Sequence, residues 1–251
     1  MSDTEDDVVE PGIDQLVLVC GQSAGGKSAS LRNIRNQQNW HYYGTEAGKR
    51  LPFRSRFQEY RITDPYQIYE GFDVITEDPE IEGAIVDSST FMMDMFESDY
   101  IVGSANTMQG WSDYAQFWKR LMQKKVALFG RPTIIIAHTR SELNEELGRM
   151  ETKVPIKGAL ANQGVEAYFS TVVAAKKVTL KELEKYGSDL LNITEEDKEL
   201  GYKHVFQTRI TKATVGERIR SPIGMFSREQ TYMDNDAQLL LDHLSRFYAG
   251  E

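Results

Sequence analysis

Residues Gly21-Gln22-Ser23-Ala24-Gly25-Gly26-Lys27-Ser28 carry the plainest chemistry in this 251-residue chain. They fit the pattern G-x-x-x-x-G-K-[ST] in full. Three glycines permit positive φ and let backbone N–H groups close around phosphate oxygens. Lys27 is spaced to reach terminal phosphates, and the Ser28 hydroxyl to take one place on Mg²⁺. Ser30 is counted with these binding residues. The expected ligands are ATP and Mg²⁺. Three further positions close apolar or aromatic runs. Asp87 ends Ile81-Glu82-Gly83-Ala84-Ile85-Val86 and suits a carboxylate that holds a water in the Mg²⁺ shell. Glu46 follows Trp40-His41-Tyr42-Tyr43-Gly44-Thr45 and is a candidate base for polarising water. His138 follows Pro132-Thr133-Ile134-Ile135-Ile136-Ala137 and could feel a terminal phosphate. Each has a blander reading: a strand that simply ends in Asp, a solvated loop glutamate, a hydrogen-bonded strand-end histidine. Ser88 and Ser89 either assist Asp87 or supply turn chemistry.

These groups need a scaffold that brings strand ends together. The run 13–20 ends apolar and reads as a buried strand, with an amphipathic helix expected over 28–35. Strands are expected over 40–45, 81–87, 132–137, 168–175 and 204–210. Asp64-Pro65 opens a helix that Asp78-Pro79 closes. Trp111, Tyr114, Ala115, Trp118, Leu121 and Met122 recur at helical spacing, so a helix over 111–129 packs on the sheet. Phe91 to Phe96 reads as core or interface, 98–109 as loop, 158–165 as a short helix and 237–248 as a last helix. Alternating strands and helices give an α/β fold with a mostly parallel sheet flanked by helices. Ligands of such sheets bind past the carboxyl ends of the strands, where Glu46, Asp87 and His138 fall.

The remaining segments are less directive. Residues 1–12 carry five acids and read as a mobile tail, leaving 13–251 as one domain. Arg50, Arg54, Arg56 and Arg61, interleaved with Phe53, Phe57 and Tyr60, form a patch that could stack bases or solvate a linker. Residues 140–157 are polar and aperiodic, long for a loop. Residues 180–200 read as a charged, exposed helical excursion. Gly216 suggests a hairpin over 211–222, with Lys212, Arg218 and Arg220 on or beside it. These cations could complete a neighbouring subunit's phosphate site in a homo-oligomer. A net charge of −9 argues against a general duplex-coating protein. Cys20 alone excludes an internal disulfide and a cysteine zinc cluster, and fits a reducing cytosol. No run is long and apolar enough for a membrane span, and the acidic start is no signal peptide.

The order strand–phosphate loop–helix, strand–Glu, helix, strand–Asp-Ser, helix, strand–polar, mobile loop, strand, hairpin resembles the RecA-like ATPase core. Gly44-Thr45-Glu46-Ala47 fits that family's catalytic glutamate, Asp87-Ser88 its metal-side pair, and His138 its γ-phosphate sensor. Residues 140–157 stand where the family keeps a DNA-contacting loop. Ala161 to Ser170 stands at the helix-to-strand passage that follows, and Lys212 near cations that reach across a filament interface. Over residues 13–226 the chain looks like phage RecA-like ATPases of the Sak single-strand annealing group. The resemblance implies ATP hydrolysis, conditional single-stranded DNA binding, and residence in the host cytoplasm. Two rivals stay open: a small-molecule or nucleotide kinase, and a non-enzymatic ATP-dependent switch that recruits a protein.

Overall fold

The structure, a computed structural model, describes residues 12–46 and 48–250. The acidic tail expected over 1–12 lies outside them, Gly12 excepted.

Among the described residues ten strands form: β1 (Leu16–Gly21), β2 (Trp40–Gly44), β3 (Gln58–Arg61), β4 (Gly83–Asp87), β5 (Thr133–His138), β6 (Arg140–Asn144), β7 (Arg149–Lys153), β8 (Thr171–Thr179), β9 (Tyr202–Gln207) and β10 (Tyr232–Asp234). Eight of them build one sheet in the order β10-β9-β8-β1-β5-β4-β2-β3. Pairing is parallel from β8 through β3, and antiparallel where β9 and β10 are added. The chain is therefore α/β with a mostly parallel central sheet flanked by helices.

Continuous apolar runs in β1, β4 and β5 mark strands covered on both faces. Alternate side chains show it. Leu18 and Cys20 enter a core with Val86 and Ile135. Val17 and Val19 enter the opposite core with Ile85 and Ile134. The first core is covered by α1 (Gln67–Glu77), α2 (Ser89–Phe96) and α3 (Thr107–Arg120), through Phe72, Met92, Phe96 and Trp118. The last helix, Ala237–Ala249, covers the second with Leu240, Leu241 and Leu244. Cys20 is packed in the first core as a small hydrophobe: burial pushes its thiol up to about 12. No helix among the described residues is long and apolar enough to cross a membrane.

Register aligns the strand ends that matter. Gly21 lies opposite His138, Asp87 opposite Ile136, and Gly44 opposite Asp87. The phosphate loop, His138, Asp87 and the segment carrying Glu46 thus share one edge of the sheet, the side where α/β folds bind ligands.

Four expectations need correction. After the loop comes a six-residue 3₁₀-helix, Ser28–Asn33, not an amphipathic helix to residue 35. Ser30 turns its hydroxyl back onto the Lys27 carbonyl at 2.6 Å, a local bond that competes with α-helical pairing. Leu31 and Ile34 are buried as anchors, and Asn36 takes a left-handed φ of 50°. Residues 140–153 are not an open loop. They form the antiparallel hairpin β6–β7, with Leu143 paired to Met150 and Glu142 to Glu151. No hairpin forms over 211–222. That stretch holds a 3₁₀ turn, Lys212–Thr214, then runs alongside β7 and β8 through bridges at Glu217 and Arg220. The excursion over 180–200 is only partly exposed. Leu183, at the end of the short helix Leu180–Leu183, is buried, as is Leu190 between that helix and Glu195–Leu200.

Candidate active site

The loop sits against the sheet with no space for side chains at its glycines. A Cβ at Gly25 would meet the Ala175 carbonyl oxygen of β8 at 2.6 Å. Gly26 has φ +97°, and a Cβ there would meet Asn235 Nδ2 at 2.7 Å. Two side chains from the antiparallel end of the sheet hold the loop backbone. Asn235 Nδ2 donates to the Gly26 carbonyl at 2.9 Å. His204 Nδ1 lies 3.2 Å from the Gly25 carbonyl and donates to it as the Nδ1–H tautomer.

Lys27 is 6% exposed and donates to the carbonyls of Gly21 (3.0 Å) and Gln22 (2.9 Å). Burial pulls its ammonium below the ordinary lysine value, while Asp87 works the other way. Gln22, Ser23 and Ala24 form the exposed lip of the loop. Ser30 is a structural residue, its hydroxyl used within the chain.

Ser28 Oγ donates to Asp87 Oδ2 at 2.7 Å, across 59 residues of sequence. Tyr42 Oη donates to the same oxygen at 2.9 Å. The other oxygen, Oδ1, is buried and has no hydrogen-bond partner among the described residues. Burial pushes the Asp87 carboxyl above the ordinary aspartate value, and the bonds from Ser28 and Tyr42 offset part of that. A buried carboxylate oxygen without a donor is the environment a cation relieves. The Ser28 hydroxyl spends its one proton on Asp87 and keeps lone pairs for a metal. Residues and chemistry fit Mg²⁺. No cluster of three or more His, Cys, Asp or Glu that could hold a metal exists among the described residues.

Glu46 stands on the other side of Asp87. The turn that carries it is pinned to β4: Thr45 N–H donates to the Asp87 carbonyl at 2.8 Å. Thr45 Oγ1 also donates to the Ser88 carbonyl (2.7 Å) and accepts from Ser88 N–H (2.8 Å). Glu46 Oε1 lies 3.2 Å from His138 Nε2, and its other oxygen is ion-paired with Lys49. Burial pushes the Glu46 carboxyl up, but the bonds from Lys49 and His138 outweigh it and hold the group below the ordinary glutamate value. Glu46 is therefore ionised near neutral pH.

The structure thus brings Lys27, Ser28, Asp87, Glu46 and His138 to one place. Ser88 instead caps α2, and Ser89 Oγ donates to the Ile136 carbonyl, so both serve structure. Lys212 is exposed and lines a separate cleft with Arg209 and Arg228. Arg218 pairs with Glu166 at 3.3 Å, and Arg220 is exposed. In the Arg50–Arg61 patch, Phe57 is buried against Tyr42 and Phe53 packs half-buried beside it, while Tyr60 stacks on His41 but stays exposed. Tyr42, His204 and Asn235 were invisible to motif reasoning, since no pattern ties them to the loop. No protein-family model and no curated protein matches the chain.

Proposed function

We propose that this chain is a Mg²⁺-dependent ATPase of RecA-like type, whose nucleotide state governs binding or annealing of single-stranded DNA. The Ser28–Asp87 hydrogen bond carries the reading, since it joins the phosphate loop to a strand-end carboxylate that has a free buried oxygen. Lys27 neutralises terminal phosphate oxygens. Ser28 Oγ and Asp87 Oδ1 are the groups that would hold Mg²⁺, which when bound screens charge on the phosphoryl oxygens. Glu46 accepts a proton from the attacking water at a carboxylate oxygen. His138 and Lys49 hold that carboxylate in place.

Two features support the coupling to DNA. β5 lies between the loop strand and the Asp87 strand. It leads from His138, through Thr139 alone, into β6, so a shift at His138 is felt at once by the β6–β7 hairpin. The hairpin exposes Arg140 and Arg149 with Leu143 and Met150, side chains that can contact a backbone and bases. Resemblance to phage single-strand annealing ATPases names the nucleic acid, and Lys212 remains a candidate acting between subunits. ATP hydrolysis measured with and without single-stranded DNA tests the reading. Phosphate release to water, changed severalfold by the DNA, is the expected result. Transfer to an acceptor would make the chain a kinase, and turnover indifferent to DNA would favour a protein-recruiting switch.

A further inference from the structure

A nucleotide held by this loop must leave it on one side. Lys27, Ser28 and Asp87 mark the terminal-phosphate end. The loop's backbone N–H groups cradle the phosphates nearer the nucleoside, and the loop runs on through Ser28 into Ala29. The nucleoside is therefore directed toward Ala29 and Arg32. A cleft of about 280 Å³ opens there, bounded by Gly26, Ala29, Arg32, Leu200, His204 and Asn235. That size is at the small end of ligand pockets, roughly 300 Å³. Its remaining wall comes from the excursion over 180–200 and the start of β9.

Two observations point to a ligand. Asn235 is 4% exposed and lines the cleft; its Nδ2 is used on Gly26, yet its Oδ1 has no partner among the described residues. That oxygen needs a donor. The Arg32 guanidinium is fixed by bonds to the carbonyls of Ala29 (3.2 Å) and Asn235 (3.3 Å), which leaves a flat cation for an aromatic ring to stack on. Leu200, 54% exposed, offers an apolar contact in the same cleft. Below it Lys203 is neutralised by Asp197 and Asp234, at 2.9 and 3.4 Å. The larger cleft at Gly21–Gly25 is lined by the ion pairs Lys176–Glu217 and Arg218–Glu166, and lies on the Gly21 side of the loop, away from Ala29 and Arg32.

We propose that this cleft receives the ribose and base of the bound nucleotide, with Arg32 and Leu200 embracing the base. Asn235 Oδ1 accepts from a ribose hydroxyl or an exocyclic amine. The inference rests on the phosphate-site reading, and two probes separate them. Magnesium tripolyphosphate occupies the loop alone; magnesium ATP occupies loop and cleft. By calorimetry on the full chain, ATP binds about 100-fold more tightly than tripolyphosphate. Leu200→Trp, which fills the cleft, and Arg32→Ala, which removes the stacking plane, each weaken ATP about 10-fold. Both leave tripolyphosphate unchanged, which also shows that the variants are folded. Either 2′-deoxy-ATP or the analogue lacking the exocyclic amine loses affinity, and which one does identifies the donor to Asn235. Equal affinity for ATP and tripolyphosphate, or ATP binding indifferent to both variants, overturns the proposal. If neither probe binds, the phosphate-site reading falls and takes this inference with it.

Discussion

The two flanks of the phosphate loop are built by different means. On one flank, parallel strands β5, β4 and β2 end in His138, Asp87 and, two residues on, Glu46, side by side. Their functional atoms point at one another and at Ser28 and Tyr42. On the other flank, β8, β9 and the turn after β10 press on the loop from its antiparallel side. Ala175, His204 and Asn235 contact its backbone at Gly25 and Gly26 rather than its functional groups. The first flank supplies reactive groups, and the second supplies shape. A strand end can present a carboxylate with no local sequence device beyond register. A loop with bound geometry needs partners for its own carbonyls, and these come from wherever the chain returns.

The contrast is broken most severely by substitution on the reactive flank. Glu46→Gln removes the proton acceptor without changing shape. Phosphate release should fall about 10²- to 10⁴-fold, the usual worth of a positioned base. ATP affinity by calorimetry should stay within about threefold, well under 1 kcal/mol. Unchanged turnover would strike Glu46 from the mechanism and leave the pair with His138 as a structural tie.

Asp87→Asn should act with two signs. The folded-state pKa of Asp87 is raised, chiefly by burial, so its ionised form costs stability as pH rises through that value. A neutral amide removes this cost and still accepts from Ser28 and Tyr42 at one oxygen. A gain of about 1 kcal/mol would lift Tm by roughly 2–4 °C for a chain of this size. Magnesium-dependent nucleotide binding should fall at least about 10-fold in the same protein. A variant that lost both stability and binding would place Asp87 with the shaping flank instead.

The shaping flank is tested by Asn235→Ala, with a smaller effect. It removes one of the two hydrogen bonds on the half-buried Gly26 carbonyl, which still accepts from Ser30 N–H, at a cost of about 0.5–1.5 kcal/mol. Tm should drop and ATP affinity weaken about 10-fold, while turnover at saturating ATP stays close to that of the unaltered chain. A selective loss of turnover with affinity intact would erase the distinction between the flanks.

Legibility followed the same division. The loop, Asp87, Glu46 and His138 were readable because each sits at the end of a run whose periodicity names its own structure. The strands β1, β4 and β5 were readable because fully buried strands are apolar throughout. What escaped detection is non-local. Asn235 reaches Gly26 across 209 residues, and His204 reaches Gly25 across 179. Tyr42 reaches Asp87 only because β2 and β4 pair with Gly44 opposite Asp87. Local polarity also misled. Residues 140–153 look like solvated loop because both faces of the β6–β7 hairpin are largely exposed, so no alternation is imposed on them. Gly216 looked like a turn residue. It is glycine because the Met150 carbonyl lies 1.9 Å from where a Cβ would stand.

Within the reactive flank, the two carboxylates differ in sign, and this gives the finest test. Asp87 is raised above its ordinary range, whereas Glu46 is held below its own by Lys49 and His138 despite burial. A depressed folded-state pKa contributes stability that is present above the unfolded value, about 4.3 for glutamate. That stability is lost as pH falls through the folded value. Lys49→Met should therefore lower Tm slightly at pH 7. Because the Lys49 side chain is half exposed, the cost is bounded by the worth of a surface pair, about 0–1 kcal/mol. At pH values below the folded pKa of Glu46 the same substitution should cost nothing, because the carboxylate it serves is protonated. Thermal melts of both proteins across that range decide it. A Tm difference that persists undiminished into acid would mean that Lys49 packs rather than pairs, leaving His138 as the group that keeps Glu46 ionised beside a buried, reluctantly charged Asp87.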